Sequence, residues 1–423
     1  MAATNQSEAV MRASRVGTAS RHLATTSTEL KNAALEAIAI DLETESAAII
    51  AVNGPEVERA RKNGVSGSFL DRMTLTLEQI SSMANDLRVV AALPDPIGQI
   101  EELTTRPNGL QIGRMRVPLG VIGVIYESRP NVTLDIAAVC LKSGNGVLLR
   151  SGSDAHETSA ALATIAKHAA TAAGLPEHSI EFIESTDRTE VGAMLQAADQ
   201  IDLMIPRGGA ELIRRVRDEA TMPVVAGGIG VCHTYVDIDA DLSMAEAIVV
   251  NAKTQRPSVC NALDTLLVHR DIAAKFVPLV AEALGEHGVT LHVESDVNEL
   301  IKHASNTVPA VYEDYDREWL SLDCSLRIVD SLEGALSHIQ EHGSGHSEAI
   351  VSDSYETTQR FLREADASAV FVNASTYFND GGQFGLGVEV GISTQKMHAR
   401  GPMGLRELTS YKWVVLGNGQ IRT

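Results

Sequence analysis

Residues 117–150 read VPLGVIGVIYESRPNVTLDIAAVCLKSGNGVLLR, and this stretch decides the fold class. Val121 to Tyr126 is a short, wholly apolar run, and Val147 to Arg150 is a second. Between them lies a helical stretch closed by Gly144-Asn145-Gly146, a tight turn. Strands with no polar alternation are buried on both faces, as in a parallel sheet covered by helices. Ile180 to Ile183 and Ile201 to Ile205 extend the series, with Asp154 to Ala173 and Ala210 to Ala220 as the helices between. Thr265 to Val268 opens a second series through Ile328-Val329, Glu348 to Val351 and Ala369 to Val372. Two tandem α/β units are the usual setting of a small-molecule site.

Ahead of the first strand the chain reads as helices. Thr26-x-x-Glu29 fits a capping box, and Leu30, Ala34, Leu35, Ile38 and Leu42 follow at helical spacing. Asn53-Gly54-Pro55 breaks the pattern, Glu56 to Lys62 resumes it, and Pro94-Asp95-Pro96 marks a turn. Ile97 to Arg116 alternates around Pro107-Asn108-Gly109, which predicts a hairpin. Its free edges invite pairing across subunits together with the strand Tyr411 to Leu416, so a homo-oligomer is expected.

The chain of 423 residues has room for two or three domains at ~150 residues each. With 44% hydrophobic and 21% charged residues it has the composition of a folded globular protein, not a disordered one. The formal charge of −20 disfavours nucleic acid and anionic membranes. The densest basic stretch, Arg214, Arg215 and Arg217, is offset by Glu211, Asp218 and Glu219. No apolar run approaches the ~20 residues of a membrane span, and Met1 to Met11 lacks the apolar core of a signal peptide. Cys140, Cys232, Cys260 and Cys324 are widely spaced without a CxxC pair, which argues against zinc or any other metal and against a disulfide framework. The expected compartment is the cytoplasm.

Residues 251–261, NAKTQRPSVCN, fall where the first unit hands over to the second and read as a polar loop ending in Cys260-Asn261. A thiolate there, near Lys253 and Arg256, would serve as a nucleophile. The blander reading, a buried structural cysteine, has the better prior on position alone. Cys140 lies in an apolar helical run and reads as core. Gly208-Gly209, between a strand and a helix, offers backbone N–H groups to an anion such as a dinucleotide phosphate, although the GxGxxG spacing is absent.

The order of Pro118-Leu-Gly-Val-Ile, Ser128-Arg-Pro-Asn131-Val, Ser143-Gly-Asn145, Leu148-Leu-Arg150 and Cys260-Asn261 resembles the aldehyde dehydrogenase superfamily. Further motifs resemble its acyl-phosphate-reducing branch: Tyr126-Glu-Ser-Arg-Pro-Asn-Val-Thr, Ile205-Pro-Arg-Gly-Gly, Asn251-Ala-Lys-Thr-Gln-Arg-Pro-Ser-x-Cys-Asn and Gly401-Pro-Met-Gly-Leu-Arg-Glu-Leu-Thr-Ser-Tyr-Lys-Trp. The resemblance implies two Rossmann-like α/β lobes with a hairpin and C-terminal strand for oligomerisation. The expected division is residues 1–253 for cofactor binding, 254–375 for catalysis and 376–423 as a C-terminal segment.

The implied activity is NADPH-dependent reduction of L-glutamyl 5-phosphate to the 5-semialdehyde with release of phosphate, the second step of proline biosynthesis. Cys260 takes the nucleophile's place and Asn131 that of the oxyanion donor, with the Cys260 backbone N–H as second donor. Asn131 also reads as a helix N-cap. Val224 to Gly228 contains no carboxylate where hydrolytic members carry a general base. Its loss suits a thioester exchanged with phosphate instead of water. Arg150 and Ser153 take the places that face the adenosine ribose, which favours NADPH over NADH. Glu318 matches a glutamate on the nicotinamide ribose. Arg129 and Arg256 are the candidates for the substrate's phosphate and α-carboxylate, and Glu389 reads as a structural anchor. Because an acyl phosphate is labile, association with glutamate 5-kinase is also implied. The rival readings are a CoA-acylating aldehyde dehydrogenase and a non-catalytic nucleotide-binding scaffold for a kinase.

Overall fold

The computed structural model describes residues 7–65, 67–127, 129–301 and 306–422. Ser128 of the quoted motifs and the start of the Met1 to Met11 stretch lie outside the described residues. The chain divides into two units. The first takes the chain up to Gly227, Gly385–Gly391 and the chain from Met403 onward, and the second takes Gly228–Phe384 and Ile392–Pro402. The compact units thus divide at Gly227/Gly228 and share the C-terminal segment, whereas the expected division by function, at 253/254 and 375/376, is kept as a proposal. The physical reason is pairing: the strand His233–Val236 joins the second unit's sheet.

The first unit opens with helices α1 (Glu8–Leu23), α2 (Thr28–Thr44), α3 (Ser46–Lys62), α4 (Ser68–Met73) and α5 (Leu77–Ala92). The cap of α2 is Ser27, whose side chain accepts the Leu30 N–H at 3.2 Å, and not Thr26. Thr26 is held by the preceding turn, donating its hydroxyl to the His22 carbonyl. The break expected at Asn53-Gly54-Pro55 does not occur, because α3 runs through Pro55. Buried Asn53 bonds the Met73 carbonyl, the Leu75 N–H and Thr158, while buried Glu56 accepts the N–H groups of Glu157 and Thr158. Together these bonds outweigh the ~3 kcal/mol cost of an interior proline.

The hairpin forms as expected. β1 (Ile100–Thr105) and β2 (Gln111–Pro118) pair antiparallel, with Gly109 at φ +85° in the turn. Next come β3 (Val121–Tyr126), α6 (Val132–Lys142), β4 (Gly146–Ser151), α7 (His156–Ala172), β5 (Ile180–Phe182), α8 (Arg188–Leu195), β6 (Leu203–Arg207) and α9 (Ala210–Glu219). The sheet is parallel in the order β5-β4-β3-β6. The last strand starts two residues later than expected, because Asp202 precedes the ladder and its carboxylate accepts the Val121 N–H at 2.7 Å.

The second unit comprises β7 (His233–Val236), α10 (Leu242–Thr254), β8 (Thr265–His269), α11 (Arg270–Glu286), β9 (Thr290–Val293), α12 (Ser295–Leu300), β10 (Thr307–Pro309), β11 (Asp323–Val329), α13 (Leu332–His342), β12 (Ser347–Val351), α14 (Tyr355–Glu364), β13 (Ala369–Val372) and the short pair β14 (Ile392–Ser393) and β15 (Gly401–Pro402). Seven strands form a parallel sheet in the order β10-β9-β11-β8-β7-β12-β13. Leu266, Phe276, Val277 and Leu326 are fully buried against it. The loop expected over residues 251–261 is shorter than read, since 251–254 complete α10. Fully buried Lys253 holds that last turn by donating to the Leu263 carbonyl at 2.8 Å. The final strand, β16 (Thr409–Leu416), returns to the first unit beside β2. Among the described residues no helix is long and apolar enough to cross a membrane.

Candidate active site

In the first unit the candidate residues gather at the carboxyl ends of the strands, where parallel sheets bind ligands. After β3 the Glu127 N–H donates to the Arg207 carbonyl at 3.0 Å, and after β4 the Gly152 N–H donates to the Tyr126 carbonyl at 2.7 Å. These bonds bring together Glu127, Arg129 to Asn131, Gly152-Ser153 and Arg207-Gly208-Gly209. Arg129 is half-buried in this edge. Asn131 occupies the N-cap position of α6, but its side chain makes no cap bond. Its Nδ2 instead donates to Asp135 Oδ2 at 2.8 Å.

The glycine pair expected to meet a phosphate already faces an anion. Gly209 donates its N–H to Glu127 Oε2 at 3.0 Å, and a Cβ on Gly208 would lie 2.4 Å from the same oxygen. A phosphate at this helix N-terminus would have to displace the Glu127 carboxylate. Arg150 is half-buried on β4; its Nη2 donates to the Thr186 carbonyl at 3.4 Å, while its Nε is buried without a partner. Burial lowers its pKa, and the guanidinium groups of Arg188 and Arg215 lower it further, against Glu127. Three cations at one edge with an orphaned N–H fit an anionic group such as a nucleotide phosphate. Ser153 is exposed beside them.

The second unit presents Cys260. Cys140, Cys232 and Cys324 are fully buried, whereas Cys260 is half-buried. Burial pushes the Cys232 thiol well above its ordinary pKa and raises those of Cys140 and Cys324. The main chain around Cys260 is clamped. Cys232 Sγ donates to its carbonyl at 3.2 Å, and a Cβ on Gly230 would lie 1.8 Å from that carbonyl oxygen, so only glycine fits there. Gly230 is fixed in turn by its N–H to Glu318 Oε1 at 2.9 Å. Asn261 Nδ2 reaches the carbonyls of Tyr377 and Asn379, and Thr376 Oγ1 donates to the Asn261 carbonyl at 2.8 Å. Behind them Asp264 accepts the N–H groups of Cys232 and Trp319. Burial pushes the Asp264 carboxyl up to about 7, and Lys253 opposes the shift. Glu318, also raised by burial, thus supports the Cys260 loop through Gly230 as well as being the candidate ribose ligand.

Lys253 does not stand beside the thiol as a bare charge; its ammonium is buried on the Leu263 carbonyl. Arg256 is exposed. Glu389 is half-buried in a segment anchored by the Val390 N–H to the Met403 carbonyl and the Met403 N–H to the Gly391 carbonyl. Sequence reasoning missed Asp135, Arg188, Arg215, Gly230 and Asp264. Asp135 left a readable trace as a carboxylate one helical turn from Asn131, and Arg215 was visible only as part of a charge-balanced basic stretch. Among the described residues no group of three or more His, Cys, Asp or Glu could hold a metal ion.

The chain belongs to the aldehyde dehydrogenase family, whose model matches residues 3–307. Within that family it is similar to proteins named gamma-glutamyl phosphate reductase. The one from Dehalococcoides mccartyi is 52% identical over 406 residues, covering 96% of each chain. The one from Moorella thermoacetica is 53% identical over 408 residues, covering 96% of this chain and 97% of the relative. The crystal structure of gamma-glutamyl phosphate reductase from Thermotoga maritima superposes with a TM-score of 0.95 at 45% identity, covering 98% of this chain and all of the other.

Proposed function

We propose that this enzyme reduces L-glutamyl 5-phosphate to L-glutamate 5-semialdehyde and phosphate, the second step of proline biosynthesis. The observation that carries the reading is the half-buried Cys260, whose carbonyl is held by the Cys232 thiol and whose neighbour's carbonyl is held by Thr376, in a chain about half identical to reductases of that name. The Cys260 thiolate attacks the acyl carbon, the C–O bond to phosphate breaks, and a Cys260 thioester remains. Reduced nicotinamide supplies a hydride; the C–S bond then breaks, freeing the aldehyde and restoring the thiolate. Asn131 keeps the oxyanion-donor role that the family resemblance gives it, and the Cys260 backbone N–H keeps that of second donor. No carboxylate stands in Val224 to Gly228 to activate water, so the thioester persists until it is reduced or returned to phosphate.

The cofactor is NADPH in this reading. Arg150 and Ser153 meet the adenosine end, and Arg188 and Arg215 add the positive charge that a 2′-phosphate needs. Glu318 lies toward the nicotinamide ribose, and Arg129 and Arg256 receive the substrate's anionic ends. The sheet β1-β2-β16 exposes Tyr411, Trp413 and Val415 at alternating positions on one face and Ile100, Leu103 and Leu416 on the other, apolar surface suited to pairing with a second copy of the chain. Glutamate 5-kinase is the expected neighbour, because it makes the labile substrate.

The reading is tested by oxidising glutamate 5-semialdehyde with NADP⁺. Turnover should require inorganic phosphate and be unmoved by CoA; a CoA requirement would replace the reading by the acylating one. Cys260→Ala should lower turnover by on the order of 10⁴-fold or more while NADPH binding is retained.

A further inference from the structure

We propose that Asp135 is a positioning residue: its carboxylate, one helical turn beyond Asn131, holds the Asn131 amide so that its second Nδ2–H is left for the acyl oxygen. This rests on the reading of Asn131 as an oxyanion donor.

The first observation is that Asn131 forgoes the ordinary use of an asparagine at a helix start. Its backbone is helical (φ −56°, ψ −33°), and its side chain accepts no N–H from the first turn of α6. The second is the partner it takes instead, Asp135 Oδ2 at 2.8 Å. An ionised carboxylate only accepts, so the amide must turn its nitrogen toward Asp135, and both amide atoms are thereby assigned. A carboxylate in the first turn of a helix has a commonplace alternative role, favouring the helix dipole. The direct side-chain bond to Asn131 adds to that role something it does not require.

The third observation is the company Asp135 keeps. Among the described residues, Asp86 on α5 and Arg207 at the end of β6 act on it through space, and Asn131 acts through the hydrogen bond. Burial and then Asp86 push its carboxyl up to about 7, while Asn131 and Arg207 oppose the shift. Near neutral pH the group therefore passes between an acceptor and a donor. Once protonated it can donate to the amide oxygen, which turns Asn131 round and puts a carbonyl where the oxyanion needs an N–H. The orientation of the donor is thus tied to one proton.

The test is a double-mutant cycle with kcat and KM read from pH 5.5 to 9. Asp135→Ala should lower kcat by about 10-fold or more with KM little changed, yet cost nothing further in an Asn131→Ala background. Asp135→Asn keeps an amide oxygen for Asn131 and should restore most of kcat while losing the limb near neutrality. Asp86→Asn leaves the Asp135–Asn131 bond in place and should shift that limb to lower pH, which keeps the proposal open to test should Asp135→Ala fold poorly. Equal losses in both backgrounds, or a limb unmoved by Asp86→Asn and Asp135→Asn, would overturn it. An inactive wild-type enzyme would overturn the functional reading along with it, whereas an active enzyme with an additive cycle would overturn this proposal alone.

Discussion

Cys260 and Asn131, the proposed nucleophile and oxyanion donor, are held by the fold in contrasting ways. The Cys260 loop is held at its backbone by the Cys232 thiol and the close-packed Gly230 on the Cys260 carbonyl and by Thr376 on the Asn261 carbonyl, while the Asn261 side chain ties it to the carbonyls of Tyr377 and Asn379. Asn131 is set by the conformation of its side chain, with Asp135 as its hydrogen-bond partner. At Asn131 the titrating carboxylate touches the donor's own side chain, whereas behind the Cys260 loop the carboxyl pushed up to about 7, that of Asp264, accepts the N–H groups of Cys232 and Trp319. A nucleophile must stay put through two chemical steps, while an oxyanion donor is needed only as charge develops. The contrast therefore ties the Asn131 side chain directly to a titrating group and the Cys260 loop only at one remove, through Asp264.

The clamp can be broken most severely at Gly230. Gly230→Ala forces a methyl group into the Cys260 carbonyl, and turnover should drop by on the order of 10²-fold or more from displacement of the thiol. Activity within a few-fold of wild type would mean that the clamp does not set the geometry. A smaller effect is expected at the cofactor edge of the first unit. Arg188→Gln should raise KM for NADPH by about 10-fold and leave that for NADH unchanged, since one charge-assisted bond is worth about 1.4 kcal/mol or more. An equal change for both cofactors would remove Arg188 from the 2′-phosphate.

The smallest expected effect sharpens the contrast through stability. Asp264 has a folded-state pKa of about 7, above its unfolded value of ~3.9. Its contribution is fully present below pH ~4 and is lost as pH rises toward 7, with a slope of at most ~1.4 kcal/mol per pH unit. Asp264→Asn should lack this part of the slope in denaturation measured at pH 5 and pH 8, whatever its absolute stability. An unchanged slope would show that Asp264 is ionised throughout.

Much of this architecture could be read along the chain because the information is local. Val121–Tyr126 and Val147–Arg150 are apolar on both faces, which is what a covered parallel strand requires. The hairpin was legible from alternation around Pro107-Asn108-Gly109. What escaped reading depends on contacts distant in sequence. Pro55 is tolerated because Asn53 and Glu56 are held by residues around 73–75 and 157–158. The last turn of α10 depends on Lys253 meeting Leu263, and the unit boundary depends on β7 joining β8 and β12. At the site, the candidacy of Cys260 and Asn131 came from motif resemblance. Gly230 beneath Cys260 and Arg188 beside Arg150 are juxtapositions that only the folded chain makes.

The thioester at Cys260 is tested most directly by rapid mixing of wild-type enzyme with glutamate 5-semialdehyde and NADP⁺ without phosphate, followed by acid quench and peptide mass analysis. A burst of about one NADPH per active site, with the glutamyl group on the peptide carrying Cys260, is the expected result. A full burst with Cys260 unmodified and the acyl group on another side chain would contradict it.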